Sequence, residues 1–480
     1  MKAAITPLCL LPALLWSHAT MATSAEENRS TLDDQTAVAV TIYNEDLALV
    51  KDRRRLELPI GGLDLAFRDV SARMQPETAL LRGLTEGANL QVIEQNFDFD
   101  LLTPGKLLEK YVGRPVGVIK VHPTTGEETE EEALVLSAAE GTVLRMGDRI
   151  ETGQPGRIVF REVPPTLRDR PTLVMKLDNG LAGPQELELS YLTAGLSWKA
   201  DYVGELAADD SHLDLTGWVT LNNTSGTAYR DAQLQLVAGD VNRVRDQPSP
   251  VMHKEGMRMM AAAAPMMEEE ALFEYHLYSL ARPTTIADNQ SKQVALLAAQ
   301  GIPARKELIF KGNDYYYRAQ QGEIGVKLKA SVFLEIDNRE EANLGMPLPK
   351  GVIRIYKQDA RGQAQFVGED RIDHTPKNET LRLKLGEAFD VTADKTQTDF
   401  VKLSGTGPWQ YQFETAYRLR LRNAKPEPVT VKVREPIPGD WKMLESSYPQ
   451  EKVSANLAEW VIEIPAEGET VLTYRVRVRF

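Results

Sequence analysis

The chain has 480 residues, too many for one compact hydrophobic core, so we expect several domains. Its apolar content of 42% and charged content of 26% are typical of globular proteins and exclude a chain that is disordered throughout. The formal net charge is −13, which disfavours nucleic acid and anionic lipid head groups as partners because both would be repelled.

The first 25 residues have the pattern of a secretory signal peptide. Lys2 supplies the basic start, a short apolar stretch follows, and Ala19, Ala22 and Ala25 are candidate cleavage points. Prolines interrupt the apolar stretch, which is shorter than the roughly 20 residues that a membrane-spanning helix needs. The sequence therefore predicts a periplasmic protein with no transmembrane span after cleavage. Because the only cysteine, Cys9, lies in this segment, the mature chain would form no disulfide.

Residues 26–183 are predicted to form an N-terminal β domain, since apolar and polar residues alternate as in half-buried strands. One short helix interrupts this pattern. Thr103 can cap it, Pro104 suits its first position, where no N–H is needed, and Gly113 ends it. Between residues 114 and 163, short strands alternate with tight turns, which predicts a small barrel-like insert.

Residues 184–385 are predicted to form a central β-sandwich domain. In the segment 191–241 apolar residues alternate through three strands with short connections, so these strands should pair antiparallel. Alternation places Trp198 on the apolar face and Trp218 on the polar face, where it is either covered by another domain or available to a partner. Residues 245–271, rich in methionine, alanine and glutamate, predict a mobile, low-complexity insertion.

Residues 386–480 show repeated short strands separated by turn signals, which predicts an immunoglobulin-like C-terminal sandwich without the usual cysteine pair. The whole chain is thus expected to be mainly all-β, a multidomain protein of β-sandwiches with one or a few short helices. The last strand, which ends at Phe480, resembles the terminal strand of outer-membrane β-barrels. Most strands are shorter than the roughly ten residues of such a barrel, which favours a soluble strand.

Several segments carry a family resemblance: 194–202 (AGLSWKADY), 217–218 (GW), 222–226 (NNTSG), 236–240 (LVAGD) and 275–278 (YHLY). Together they resemble a family of exported bacterial proteins known as domain of unknown function 4139, which is related to the mucoidy-inhibitor proteins. The resemblance covers residues 185–480. It implies an envelope location and a β-rich fold, and it assigns no activity to any residue.

The sequence contains no motif that would identify an enzyme. A nucleophile elbow and a phosphate-binding loop are both absent, and the histidines outside the signal segment are scattered rather than spaced as metal ligands. We therefore expect no cofactor and a non-enzymatic scaffold or interaction protein whose partner is a protein or a cell-envelope polymer. A glycan hydrolase with paired carboxylates remains the alternative, because such a pair is defined by its separation in space.

A methionine-rich segment suggests a second alternative. Met252, His253, Met257, Met259 and Met260 are weak candidate metal ligands, since thioethers are soft ligands that select Cu(I). A disordered tether or an adaptable apolar surface explains the same composition.

Exposed aromatic residues are the other binding candidates. Trp218, Tyr315, Tyr316 and Tyr317 could stack on sugars or contact a partner. Core packing of two of the tyrosines, with the third at the surface, is the alternative interpretation. The sequence does not determine the oligomeric state.

Overall fold

The computed structural model describes residues 27–480 except Phe99, Pro165, Asp240 and the segments 243–266 and 404–410. These described residues form thirty strands, one α-helix and four short 3-10 helices. The predicted mainly all-β class is therefore confirmed. No helix in this part of the chain is long and apolar enough to cross a membrane.

The first thirteen strands are β1 (Asn28–Ser30), β2 (Gln35–Tyr43), β3 (Leu47–Leu58), β4 (Gly61–Arg68), β5 (Leu80–Gly83), β6 (Leu90–Asp98), β7 (Pro115–Val121), β8 (Glu128–Ser137), β9 (Val143–Met146), β10 (Arg149–Thr152), β11 (Arg157–Val159), β12 (Thr172–Asn179) and β13 (Gly183–Thr193). The next ten are β14 (Leu196–Leu206), β15 (His212–Asn223), β16 (Tyr229–Ala238), β17 (Met267–Leu272), β18 (Tyr275–Leu280), β19 (Thr284–Ile286), β20 (Gln290–Lys311), β21 (Glu323–Asp337), β22 (Gly351–Gln358) and β23 (Ala364–Ile372).

The last seven strands are β24 (Thr380–Leu403), β25 (Gln412–Asn423), β26 (Val429–Pro436), β27 (Asp440–Ser446), β28 (Glu451–Ser454), β29 (Leu457–Ile464) and β30 (Glu469–Arg479). The α-helix is α1 (Pro104–Lys110), and the 3-10 helices are Leu32–Asp34, Pro76–Thr78, Asp314–Tyr317 and Glu340–Ala342.

The chain folds into two compact units. The first contains the described residues up to Thr36 together with Arg53–Val70 and Ala79–Leu189, and the second contains Ala37–Asp52, Ser71–Thr78 and Ser190–Phe480. Strands β2, β3 and β13 each contribute residues to both units.

Two sheets lie entirely within the first unit. One has the strand order β1-β4-β12-β6, and β12 pairs antiparallel with both of its neighbours. The other has the order β10-β9-β8-β7-β11, and its strands all lie between residues 115 and 159. This second sheet falls within the segment for which the sequence predicts a small insert.

Helix α1 packs into the core of the five-stranded sheet. Thr103 Oγ1 accepts a hydrogen bond from Lys106 N at 3.2 Å, and Pro104 occupies the first turn, as predicted. Leu108 and Tyr111 are buried in one cluster with apolar residues of the strands. The helix therefore exists because its apolar stripe covers one face of a small sheet.

The second unit is built around a large sheet with the order β23-β22-β14-β15-β20-β21-β24-β25-β30-β27. Strands β14 and β15 pair antiparallel over their full length, from Leu196 opposite Asn223 to Leu206 opposite Leu213. Trp198 is buried on the core side of β14, as the alternation predicts.

Strand β16 departs from the predicted pairing. The other edge of β15 is occupied by β20, so β16 cannot join it there. Instead β16 pairs parallel with β2 and antiparallel with β18 and β19. The prediction of three consecutive antiparallel strands is therefore wrong for the third strand.

The end of the predicted insertion 245–271 also differs from expectation. Residues Met267–Leu272 form β17, which pairs antiparallel with β18, and Met267 is fully buried. The preceding part of the predicted insertion lies outside the described residues. This end of the predicted insertion therefore belongs to a sheet.

The C-terminal strands share one core. The large sheet has two branches here, since β26 pairs with β20 and β29 while β24, β25, β30 and β27 continue the main path. Apolar side chains of both branches meet in one buried cluster, including Leu419 and Val476 from one branch and Val433 and Trp460 from the other. This packing holds the two branches together without a disulfide.

Candidate functional site

Trp218 lies on the solvent side of β15 and is 38% exposed. Its direct neighbours are Asp201 on β14 and Ala295 on β20. Ala298 lies opposite Thr216, the next residue of β15 on this face. The two alanines are short, so these neighbours on β20 cover little of the indole.

Asp201 anchors a polar network beside Trp218. Its Oδ1 accepts a hydrogen bond from Arg354 Nη1 at 3.0 Å, and its Oδ2 accepts one from Thr220 Oγ1 at 3.0 Å. Lys199 Nζ lies 3.5 Å from the same Oδ2, while the lysine side chain remains 61% exposed. The network therefore fixes hydrogen-bonding groups on the face that carries the indole.

The electrostatics keep this network charged. Burial alone would raise the pKa of Asp201, but hydrogen bonds from Arg354 and Thr220 outweigh burial and hold the pKa below its ordinary value. The hydrogen bond to Asp201 raises the pKa of Arg354, whose Nε also lies 3.1 Å from Glu369 Oε2. Both partners are therefore ionised at neutral pH.

Two more aromatic residues lie on this face. Tyr356 on β22 is opposite Glu205 of β14 and opposite Phe366 of β23. The two rings meet edge to face at 5.7 Å, and Phe366 is 55% exposed. Trp218 and Tyr356 are two strands apart across the sheet and four residues apart along β14, so about 16 Å separates them.

We call this surface the aromatic face and define it by six residues: Lys199, Asp201, Trp218, Arg354, Tyr356 and Phe366.

A cavity of about 320 Å³ lies at the Tyr356 end of the aromatic face. Glu205 and Asp214 contribute carboxylates to its lining. They are directly opposite each other on β14 and β15, so their Cβ atoms lie about 5 Å apart on the same wall. The cavity therefore places two carboxylates side by side on one wall, next to Tyr356.

The aromatic face lies within a region that matches a known family. Residues 187–480 match the model of the family described as "Domain of unknown function (DUF4139)", which covers more than half of the chain. The chain belongs to the DUF4139 family. This confirms the resemblance to DUF4139, whereas the relation to mucoidy-inhibitor proteins stays a prediction. No curated protein matches the chain.

The three tyrosines of the DUF4139 region do not lie on a strand, because Asp314–Tyr317 is a 3-10 helix. Tyr315 is 52% exposed and contacts Tyr316 edge to face at 4.6 Å, while Tyr317 is fully buried. The helix therefore presents one ring to solvent and places another in the core. A binding role for Tyr315, Tyr316 and Tyr317 stays a prediction.

Copper binding is the other alternative that the sequence suggests. Met252, His253, Met257, Met259 and Met260 are outside the described residues, so copper binding stays a hypothesis from the sequence. Among the residues that the structure describes, no group of three or more His, Cys, Asp or Glu side chains is arranged to hold a metal ion.

Sequence reasoning identified Trp218 but missed the polar half of the aromatic face. Arg354 reaches Asp201 across a sequence separation of 153 residues, through the parallel pairing of β14 with β22. Alternation within a strand carries no information about such a distant partner. Alternation could have placed Asp201 on the face of Trp218, but not Arg354 or Tyr356.

Proposed function

We propose that this DUF4139 protein is exported to the periplasm and acts there, without catalysis, as a binding protein of the cell envelope. In this proposal the aromatic face is its contact with a neutral glycan chain. The observation that carries the proposal is the exposed indole of Trp218 beside the fixed network of Asp201 and Arg354. The signal-like first 25 residues and the resemblance to exported proteins support the location.

The chemistry of the aromatic face suits a sugar. A pyranose ring has an apolar C–H side that packs on an indole, and it has hydroxyl groups at its edge that exchange hydrogen bonds with polar side chains. Lys199 and Arg354 can donate such bonds, and Asp201 can accept them. Trp218 would supply the stacking surface, and the network would fix the orientation of the ring.

Shape and charge favour a neutral polymer over other ligands. The surface between Trp218 and Tyr356 spans about 16 Å of open sheet, which suits an extended chain better than a single sugar. Acidic and basic side chains are interspersed on the face, and the chain has a formal net charge of −13. An anionic polymer would therefore be repelled at long range.

The cavity gives one observation in favour of a second candidate, a glycan hydrolase. Glu205, Asp214 and Tyr356 combine two carboxylates with an aromatic wall. If they catalyse hydrolysis, Glu205→Gln together with Asp214→Asn abolishes the release of reducing ends from a bound polysaccharide. The binding proposal expects no such release from the wild-type protein at any time point.

Sedimentation with insoluble neutral polysaccharides tests the binding proposal. We expect Trp218→Ala to bind at least about ten-fold more weakly than wild type, because truncation of a central aromatic contact has this effect. Phe273→Ala is the matched control, since Phe273 is 82% exposed in the turn between β17 and β18, which belong to another sheet. Equal binding by both variants, or no binding by the wild type, contradicts the proposal.

The proposed location has its own test. The protein in a periplasmic extract should begin immediately after Ala19, Ala22 or Ala25, as mass spectrometry of its N-terminal peptide would show. Recovery of the protein in the cytosolic fraction with an intact N-terminus contradicts export.

A further inference from the structure

Lys395 and Glu435 form a buried pair in the C-terminal core. Lys395 Nζ lies 2.6 Å from Glu435 Oε1, and the two side chains are 2% and 1% exposed. Lys395 lies on β24 and Glu435 on β26, so the pair joins the two branches of the sheet. Along the chain the two residues are 40 positions apart.

Tyrosine rings surround the ammonium group. Lys395 Nζ lies 4.6 Å from the ring centroid of Tyr316 and 5.0 Å from that of Tyr417. Burial lowers the pKa of Lys395, because the charged form loses its hydration in the core. Burial therefore makes the neutral amine, which is the nucleophilic form of lysine, easier to reach.

Hydroxyl groups hold the carboxylate from the opposite side. Tyr317 Oη donates a hydrogen bond to Glu435 Oε2 at 2.8 Å, and the hydroxyls of Tyr317 and Tyr474 lie 2.8 Å apart. Gly312 leaves space for the carboxylate, since a Cβ at that position would lie 2.0 Å from Oε2. One carboxylate oxygen thus contacts the amine and the other contacts a fixed hydrogen-bond donor.

We propose that Lys395 and Glu435 react with each other to form an intramolecular isopeptide bond between Nζ and Cδ. The ammonium group first passes a proton to Oε1, which gives a neutral amine beside a carboxylic acid. The nitrogen lone pair then attacks Cδ, and the negative charge develops on Oε2, where Tyr317 donates its hydrogen bond.

The reaction needs no other reagent. A second proton moves from Nζ to the Oε1 hydroxyl, the bond between Cδ and Oε1 breaks, and Oε1 leaves as water. One ammonium and one carboxylate become one amide and one water molecule. No electron is gained or lost, so neither an oxidant nor a cofactor is required.

The isopeptide bond would remove two buried charges and would link the two branches of the C-terminal sheet. The amide replaces two charges whose burial is costly with one neutral group that keeps its hydrogen bond to Tyr317. Because the only cysteine is Cys9, the C-terminal core has no disulfide to link its branches, and the isopeptide bond would supply that link. This inference does not depend on glycan binding.

The intact mass of the purified full-length or mature protein tests the proposal under denaturing conditions. We expect a mass lower than the sequence mass by that of one water molecule, and a proteolytic product that joins the peptides of Lys395 and Glu435. Lys395→Met should restore the full sequence mass. Lys432→Met is the matched control, since Lys432 pairs with Glu307 in a partly exposed site, and it should keep the deficit.

Two further results complete the test. Tyr317→Phe retains both reacting groups but removes the donor to Oε2, so linked protein should accumulate more slowly than in wild type. A wild-type protein with the full sequence mass and no joined peptide, even after prolonged incubation, overturns the proposal and leaves a buried ion pair only. This measurement on the wild type decides the matter even if a variant fails to fold.

Discussion

Replacement of both Lys395 and Glu435 distinguishes a covalent link between them from an ion pair, because the two cases predict different changes in stability. Replacement of a buried ion pair by apolar residues is often neutral or stabilises a protein by ~1–4 kcal/mol. Loss of a covalent link that closes a loop of 40 residues costs ~4 kcal/mol on the chain-entropy model. Because the linked wild type holds a neutral amide in place of the ion pair, the apolar gain does not apply to it, and we expect Lys395→Met/Glu435→Leu to destabilise the C-terminal core by about 4 kcal/mol.

Amide hydrogen exchange measured by mass spectrometry is a suitable assay, because it reports the local stability of β25, β26 and β30 separately from that of the other unit. The control is Arg475→Met/Asp399→Leu, which removes a pair on the same sheet. Its side chains are 27% and 40% exposed, so we expect a loss below ~1 kcal/mol.

A double variant as stable as the wild type, or more stable, would refute the reasoning. The single variant Lys395→Met should be destabilised by at least ~3 kcal/mol in either case, because it leaves the Glu435 carboxylate buried without its cation. The double variant is therefore the informative one.

Three further predictions concern individual residues. Gly195→Ala should destabilise the protein by more than ~2 kcal/mol in thermal unfolding, since Gly195 has φ +89° and a Cβ would lie 2.6 Å from Ser225 Cα. Gly87→Ala is the control: this glycine has φ +79° but open space around it, so the substitution should cost only ~1 kcal/mol. Because its hydrogen bonds hold the pKa of Asp201 below its ordinary value, its contribution to stability should be present above that ordinary value and disappear as the pH falls through the folded pKa. A carboxyl NMR titration that places the pKa of Asp201 above its ordinary value contradicts this. Thr103→Ala should cost ~1 kcal/mol, measured by hydrogen exchange of α1, because it removes the cap on Lys106 N; unchanged exchange contradicts the role of the cap.

The sequence was informative where neighbours along the chain decide the structure. Alternation placed Trp198 in the core and Trp218 at the surface, and the cap of Thr103 located the helix. The sequence did not predict which strands pair, because alternation specifies the face of a side chain and not the strand beside it. Strand β16 shows this limit, since its pairing depends on β20 having taken the edge of β15.

The buried pair left a local signal in the sequence. Val431, Val433 and Glu435 alternate in phase, so Glu435 occupies a core position of β26. Lys395 is likewise in phase with the buried Ala393 on β24. Two charges at core positions indicate a pair, but alternation alone does not reveal that they face each other. The division into three domains and the immunoglobulin-like C-terminal sandwich stay predictions.

The indole N–H signals of the protein give the most direct test of glycan binding at the aromatic face. A titration with soluble neutral oligosaccharides would be followed by two-dimensional NMR. We expect the signal of Trp218 to shift progressively, while that of Trp198, which is 4% exposed on the core side, stays in place. Binding of such a glycan with an unchanged Trp218 signal, or no binding of any of these glycans, would contradict the account.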